Sequence, residues 1–171
     1  MRKRVFCAFN RINDKRIRTG GCLMSDYIVK LIPTDPFITV SEQSIENARH
    51  YIETRVICDC VKSTSSPTPM FIDCGESLEI ITCPNCGATL DFGWWGNAMD
   101  EAYESAFSSL ETILPCCKSS ASLNDLEYFL PCGFARFAIE ILNPLHDIGD
   151  DVIRPVESLL CVHCRVVKAH I

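Results

Sequence analysis

Phe134-Ala-Arg-Phe-Ala-Ile-Glu-Ile-Leu142 is long and apolar, broken only by Arg136 and Glu140. A strand of that composition is covered on both faces, so it belongs near the middle of a sheet. Asn143-Pro144 ends it, because proline has no amide hydrogen for the ladder. Asp150 stands where a cap would open a helix over residues 151–160, with Pro155 within its first turn or so, where a missing amide is tolerated. Residues 164–171 then read as a closing strand with Val167, Ala169 and Ile171 on one face. The 21 residues between the two strands are long enough for a βαβ crossover.

Toward the N-terminus the same alternation continues. Residues 27–32 form a strand stopped by Pro33 and Pro36. Thr39-x-x-Glu42 has the form of a capping box, and Ile45, Ala48, Ile52 and Val56 follow at helical spacing, which predicts a helix over 41–56. Ser63-Thr-Ser-Ser-Pro-Thr-Pro69 reads as a loop. Residues 70–74, 79–82 and 126–130 are short strands. Trp95, Met99, Ala102, Tyr103, Ala106 and Leu110 make the apolar stripe of a helix over 95–110, which core packing explains, with Asp100, Glu101 and Glu104 at its opening as a solvated face that suits the dipole. The fold class is α+β, with a mixed or antiparallel sheet, about three helices and an inserted cysteine module.

Composition narrows what such a chain does. Its 171 residues, 47% hydrophobic and 22% charged, exclude wholesale disorder and low complexity. The charge is uneven: residues 1–23 hold seven Lys or Arg against Asp14 alone, and since the chain carries −6, the remainder carries −12. The 1–23 stretch is thus a basic extension, either an arm that touches phosphate or sequence upstream of a start at Met24, and the second is favoured because it lacks interleaved aromatics. Residues 24–171 are expected to form a single domain. A body at −12 repels a phosphate backbone, which disfavours nucleic acid unless the arm binds it alone. No signal-like apolar core follows the basic start and no window reaches the roughly 20 apolar residues of a membrane span, so a cytoplasmic location is expected.

Twelve cysteines are the compositional clue to chemistry. In a reducing compartment clustered cysteines hold metal more often than they form disulfides. Thr82-Cys83-Pro84-Asn85-Cys86-Gly87 can present two sulfurs to one ion from a tight turn, with Gly87 supplying backbone freedom. Residues 83–87 resemble the knuckle of zinc-ribbon and rubredoxin-like proteins, and a closed structural zinc site of that kind needs four ligands. The next cysteines lie in Leu114-Pro115-Cys116-Cys117-Lys118, so the expected set is Cys83, Cys86, Cys116 and Cys117 around one structural zinc ion. Cys132, in the similarly worded Leu130-Pro131-Cys132-Gly133, is the substitute should one of the adjacent pair be merely buried. Cys161-Val-His163-Cys164 has metal-like spacing but no evident second half beyond Cys58, Cys60 or Cys74.

Four thiolates leave zinc no open position, so the sequence points to a non-catalytic interaction or accessory domain. The competing enzyme reading is a small thiol-disulfide oxidoreductase using Cys83 and Cys86. Such a pair belongs at a helix N-terminus, whereas Gly87-Ala-Thr-Leu-Asp-Phe-Gly93 breaks any immediate helix. A third reading is nucleic-acid binding through residues 1–23. Hydrolytic motifs, a phosphate-cradling loop and a nucleophile elbow are missing from the sequence. Trp94 and Trp95, between glycines after the knuckle, are candidate interaction residues, and an acidic domain of this kind suits a partner protein with a basic surface.

Overall fold

A computed structural model describes residues 26–75 and 78–170. Six elements build the body: β1 (Tyr27–Pro33), α1 (Glu42–Arg55), β2 (Cys60–Ile72), and, after a long insertion, a ten-residue strand Gly133–Leu142, a helix Asp150–Leu160 and a strand Cys164–His170. The insertion holds β3 (Ile81–Thr82), α2 (Phe92–Glu104), β4 (Glu111–Ile113), β5 (Ser120–Ser122), a 3-10 turn Leu123–Asp125 and β6 (Glu127–Tyr128). The three later body elements are therefore β7, α3 and β8.

The body sheet runs β2-β7-β1-β8 with every neighbouring pair antiparallel. β1 and β2 both oppose β7 and so run parallel to each other with β7 between them; β7 and β8 likewise flank β1. Each strand-helix-strand unit is thus a crossover split by one antiparallel strand, the ferredoxin-like arrangement. The connection from β7 through α3 to β8 is of this split kind, not a βαβ unit of adjacent strands. β7 is central, as its composition requires. Both helices cover one face, where Ile45, Ala48 and Ile52 of α1 and Val152, Val156 and Leu160 of α3 pack on Val29, Leu31, Phe137, Ile139 and Ile141.

Three local expectations are corrected. The Ser/Thr/Pro tract is part of β2: residues 60–65 pair with residues 137–142 of β7, the register shifts between Ser65 and Met70, and pairing resumes to Ile72. Pro67 and Pro69 fall in the shift, where a missing amide costs no ladder bond. Ser41, not Thr39, caps α1, its hydroxyl accepting from the Ser44 amide. Gly149 precedes α3 without a side-chain cap, so Asp150 is its first residue, and Pro155 lies inside the helix.

α2 starts earlier than its apolar stripe implies because the Asp91 side chain accepts hydrogen bonds from the Gly93 and Trp94 amides. It ends at Glu104, and Ala106 and Phe107 take positive φ values of 52° and 56°. Its first turn carries no acid, so Asp100, Glu101 and Glu104 occupy its middle and end and gain nothing from the helix dipole. All three are exposed, as a solvated face requires. Trp95, Ala98, Met99 and Ala102 face a second core with Ile81, Leu90, Leu114, Leu123, Leu126 and Phe134.

The insertion is pinned at both crossings. After β2 the chain reaches the far edge of the sheet, where Gly75 pairs in parallel with His170 at φ 77°; a Cβ there would lie 2.6 Å from the His170 carbonyl oxygen. Buried Lys30 donates to the Asp73 carbonyl at 3.3 Å. At the return, buried Asn124 donates to the Thr34 carbonyl at 3.1 Å and accepts from the Phe134 amide at 3.0 Å, while the Arg165 guanidinium donates to the Cys132 carbonyl at 2.6 Å. Among the described residues no helix is long and apolar enough to cross a membrane.

Candidate metal centre

Two tight turns make the site. In the first, the Gly87 amide donates to the Cys83 carbonyl and the Cys83 amide to the Ala88 carbonyl, both at 2.9 Å. Gly87 takes φ 71°, the left-handed conformation its missing Cβ permits. The turn aims the Asn85 and Cys86 amides at the Cys83 sulfur, each at 3.4 Å. The second turn links β4 to β5 by the same pattern: the Lys118 amide donates to the Leu114 carbonyl at 3.0 Å and the Leu114 amide to the Ser119 carbonyl at 2.9 Å. Lys118, at φ 61°, stands where Gly87 stands in the first turn. Counted from these bonds, Pro115 matches Pro84, Cys117 matches Cys86, and Leu114 takes the place of Cys83.

The turns face each other. The sulfurs of Cys83, Cys86, Cys116 and Cys117 all lie within 4.8 Å of one another, with Cys83 to Cys117 at 3.8 Å and Cys86 to Cys116 at 3.5 Å. A tetrahedral ion holding thiolates at about 2.3 Å spaces them about 3.8 Å apart, so the donor set fits such an ion closely. Among the described residues this is the one group of three or more His, Cys, Asp or Glu placed to hold a metal. Cys83 is 1% exposed and Leu114 is fully buried, forming the floor on the insertion core, whereas Cys86 and Cys116 are exposed at the rim.

Electrostatics divide the four thiols. Burial pushes Cys83 up, but the Cys86 and Asn85 amides and neighbouring thiols outweigh it and leave its pKa below the ordinary value. Ser119, through its hydroxyl and amide, draws Cys117 down to about 6. Cys116 is pushed up to about 12, by desolvation first and then by its hydrogen bond to Cys86. Cys83 and Cys117 therefore give up their protons more readily than an ordinary thiol.

Other cysteines stand apart. Cys132 is not a substitute ligand: its sulfur lies 3.3 Å from that of Cys74, in a separate buried cluster. Cys161 and Cys164 do not form a second group; Cys161 ends α3 at φ 56°, and the Cys164 amide donates to the Glu157 carboxylate at 2.7 Å. Trp95 is 5% exposed and its indole donates to the Tyr128 hydroxyl at 3.3 Å, so it packs the insertion instead of offering a contact face; Trp94 is half-buried. The exposed apolar side chains nearby are Ile80, Phe92, Ile113 and Phe129. The basic stretch 1–23 lies outside the described residues. Sequence reasoning missed Leu114 and Ser119, although aligning Pro115 with Pro84 exposes the match between the turns.

Fold and site together define a class: an α+β protein of split β-α-β topology, with an insertion in which four cysteines can hold a metal ion. No known family model, curated protein or solved structure matches the chain.

Proposed function

We propose that this chain is a non-catalytic accessory or protein-interaction domain whose insertion is held by one structural zinc ion on Cys83, Cys86, Cys116 and Cys117. The observation that carries this reading is the approach of four sulfurs to within 4.8 Å from two opposed turns. Four thiolates fill the coordination shell of zinc and leave no place for water or substrate, so the ion joins loops and performs no hydrolysis. The site has few competitors for its role: β4, β5 and the knuckle are too short to persist without a shared anchor, and zinc binding of about 10 kcal/mol or more would be coupled to their folding. Partner binding is supported by the exposed Ile80, Phe92 and Phe129 on the insertion, Phe92 lying edge-on to Trp95 at 6.1 Å. With residues 24–171 at −12, the partner is a protein with a basic surface, steered electrostatically.

Native mass spectrometry of the full chain with and without chelator tests the assignment. One zinc per chain, lost to chelator and absent in Cys83→Ser, is the expected result. Metal-free protein that stays folded and cycles a Cys83–Cys86 disulfide would replace this reading with the oxidoreductase one.

A further inference from the structure

The two chain crossings between sheet and insertion carry a feature that the metal centre does not use. Cys74 follows β2 on the outgoing crossing and Cys132 precedes β7 on the return. Their sulfurs approach to 3.3 Å although the residues are 58 apart in sequence, and they are 0% and 1% exposed. We propose that Cys74 and Cys132 are an oxidation site, converted by a peroxide into a disulfide that clasps the neck of the insertion.

Both backbones are already held in place. Gly75 pairs with His170 and the Asp73 carbonyl takes the Lys30 ammonium on one side, while Arg165 holds the Cys132 carbonyl on the other. Closing from 3.3 Å to a bond of about 2.05 Å is therefore left to side-chain rotation. The thiol of Cys132 donates toward the Cys74 sulfur, which orients the pair for reaction. The Cys74 sulfur attacks one peroxide oxygen, the O–O bond breaks, the departing hydroxide takes the Cys74 proton as one water, and Cys74 becomes a sulfenic acid. The Cys132 sulfur then attacks the Cys74 sulfur, the S–O bond breaks, and the departing hydroxide takes the Cys132 proton as a second water. Two thiols and one hydrogen peroxide thus give one disulfide and two waters. A small oxidant is required because sulfurs this buried are closed to a bulky disulfide such as oxidised glutathione.

A bond here closes a loop containing the whole insertion and restricts the unfolded chain. Neither cysteine belongs to the four-sulfur group, so the proposal stands apart from the metal reading. The test treats the full chain, as purified, with hydrogen peroxide, unfolds it in denaturant so that N-ethylmaleimide blocks every remaining thiol, and maps the non-reduced digest by mass. The expected outcome is a Cys74–Cys132 linked peptide, two hydrogens lighter than its parts and released by dithiothreitol, with a higher thermal midpoint for the oxidised chain. Cys132→Ser should lose both the peptide and the rise in midpoint. Recovery of Cys74 and Cys132 as maleimide adducts at peroxide levels that consume other thiols, or their linkage to Cys83, Cys86, Cys116 or Cys117, would overturn the proposal. The map of the parent chain decides the matter even if the variant does not fold.

Discussion

Leu114 occupies in the second turn the place that Cys83 holds in the first, and the missing sulfur is supplied two residues later by Cys116. The apolar side chain completes the insertion core and the ligand moves to the exposed rim. If the turns are equivalent, Leu114→Cys combined with Cys116→Ser should restore one metal per chain, whereas Cys116→Ser alone should lose it; metal stoichiometry by native mass spectrometry distinguishes the outcomes. A different residue-scale effect comes from groups that burial holds protonated. Cys164 is pushed up to about 12 by desolvation and then by the Glu157 charge, and burial raises Cys132 and Tyr128 as well. Because folding raises these values, their contribution is fully present below the unfolded pKa of about 8.5 for a thiol and is lost as pH climbs toward the folded value. The thermal midpoint should therefore fall from about pH 9 upward, and Cys164→Ala should flatten the decline. Cys83, Cys86, Cys116 and Cys117 were legible because thiols at turn spacing are rare without a purpose. The exclusion of Cys132 was not, since its Leu-Pro-Cys wording says nothing about which core receives the sulfur.

At the scale of elements, composition and long-range pairing disagree at β2. Serine, threonine and proline argue for a loop, yet residues 60–65 and 70–72 find a buried partner in β7 and the prolines are absorbed by the register shift. Local propensity loses here because sheet stability is set by the neighbour as much as by the strand. α2 shows the opposite case, in which a single side chain sets the boundary. Asp91 accepts from two amides that would otherwise lack partners, so Asp91→Ala should cost about 1 kcal/mol. A thermal melt should register a drop of about 2–4 °C for a chain of this size. Ser41 wins over Thr39 as the α1 cap because its hydroxyl reaches the Ser44 amide.

For the whole molecule, the two larger of three buried clusters divide the labour. The sheet and its two helices bury a largely aliphatic core whose fully buried members include no cysteine, while the insertion packs around Trp95, Leu114 and Phe134 beside the four sulfurs. Removing metal should therefore loosen the insertion first. Hydrogen exchange after chelation is expected to show lost protection over residues 81–122, with β1 and β7 still protected, and simultaneous loss in both regions would mean that the cores fold as one unit. The sequence determined the α+β class, the central place of β7, the buried face of α1 and the four-cysteine set, since each is written in local periodicity, composition or spacing. Only the tertiary structure decided the β2-β7-β1-β8 order, the strand made from the Ser/Thr/Pro tract, the pairing of Cys132 with Cys74 and the burial of Trp95. Those outcomes depend on which distant surfaces meet, and contact between residues far apart in the chain is settled by packing, not by the pattern of any one segment.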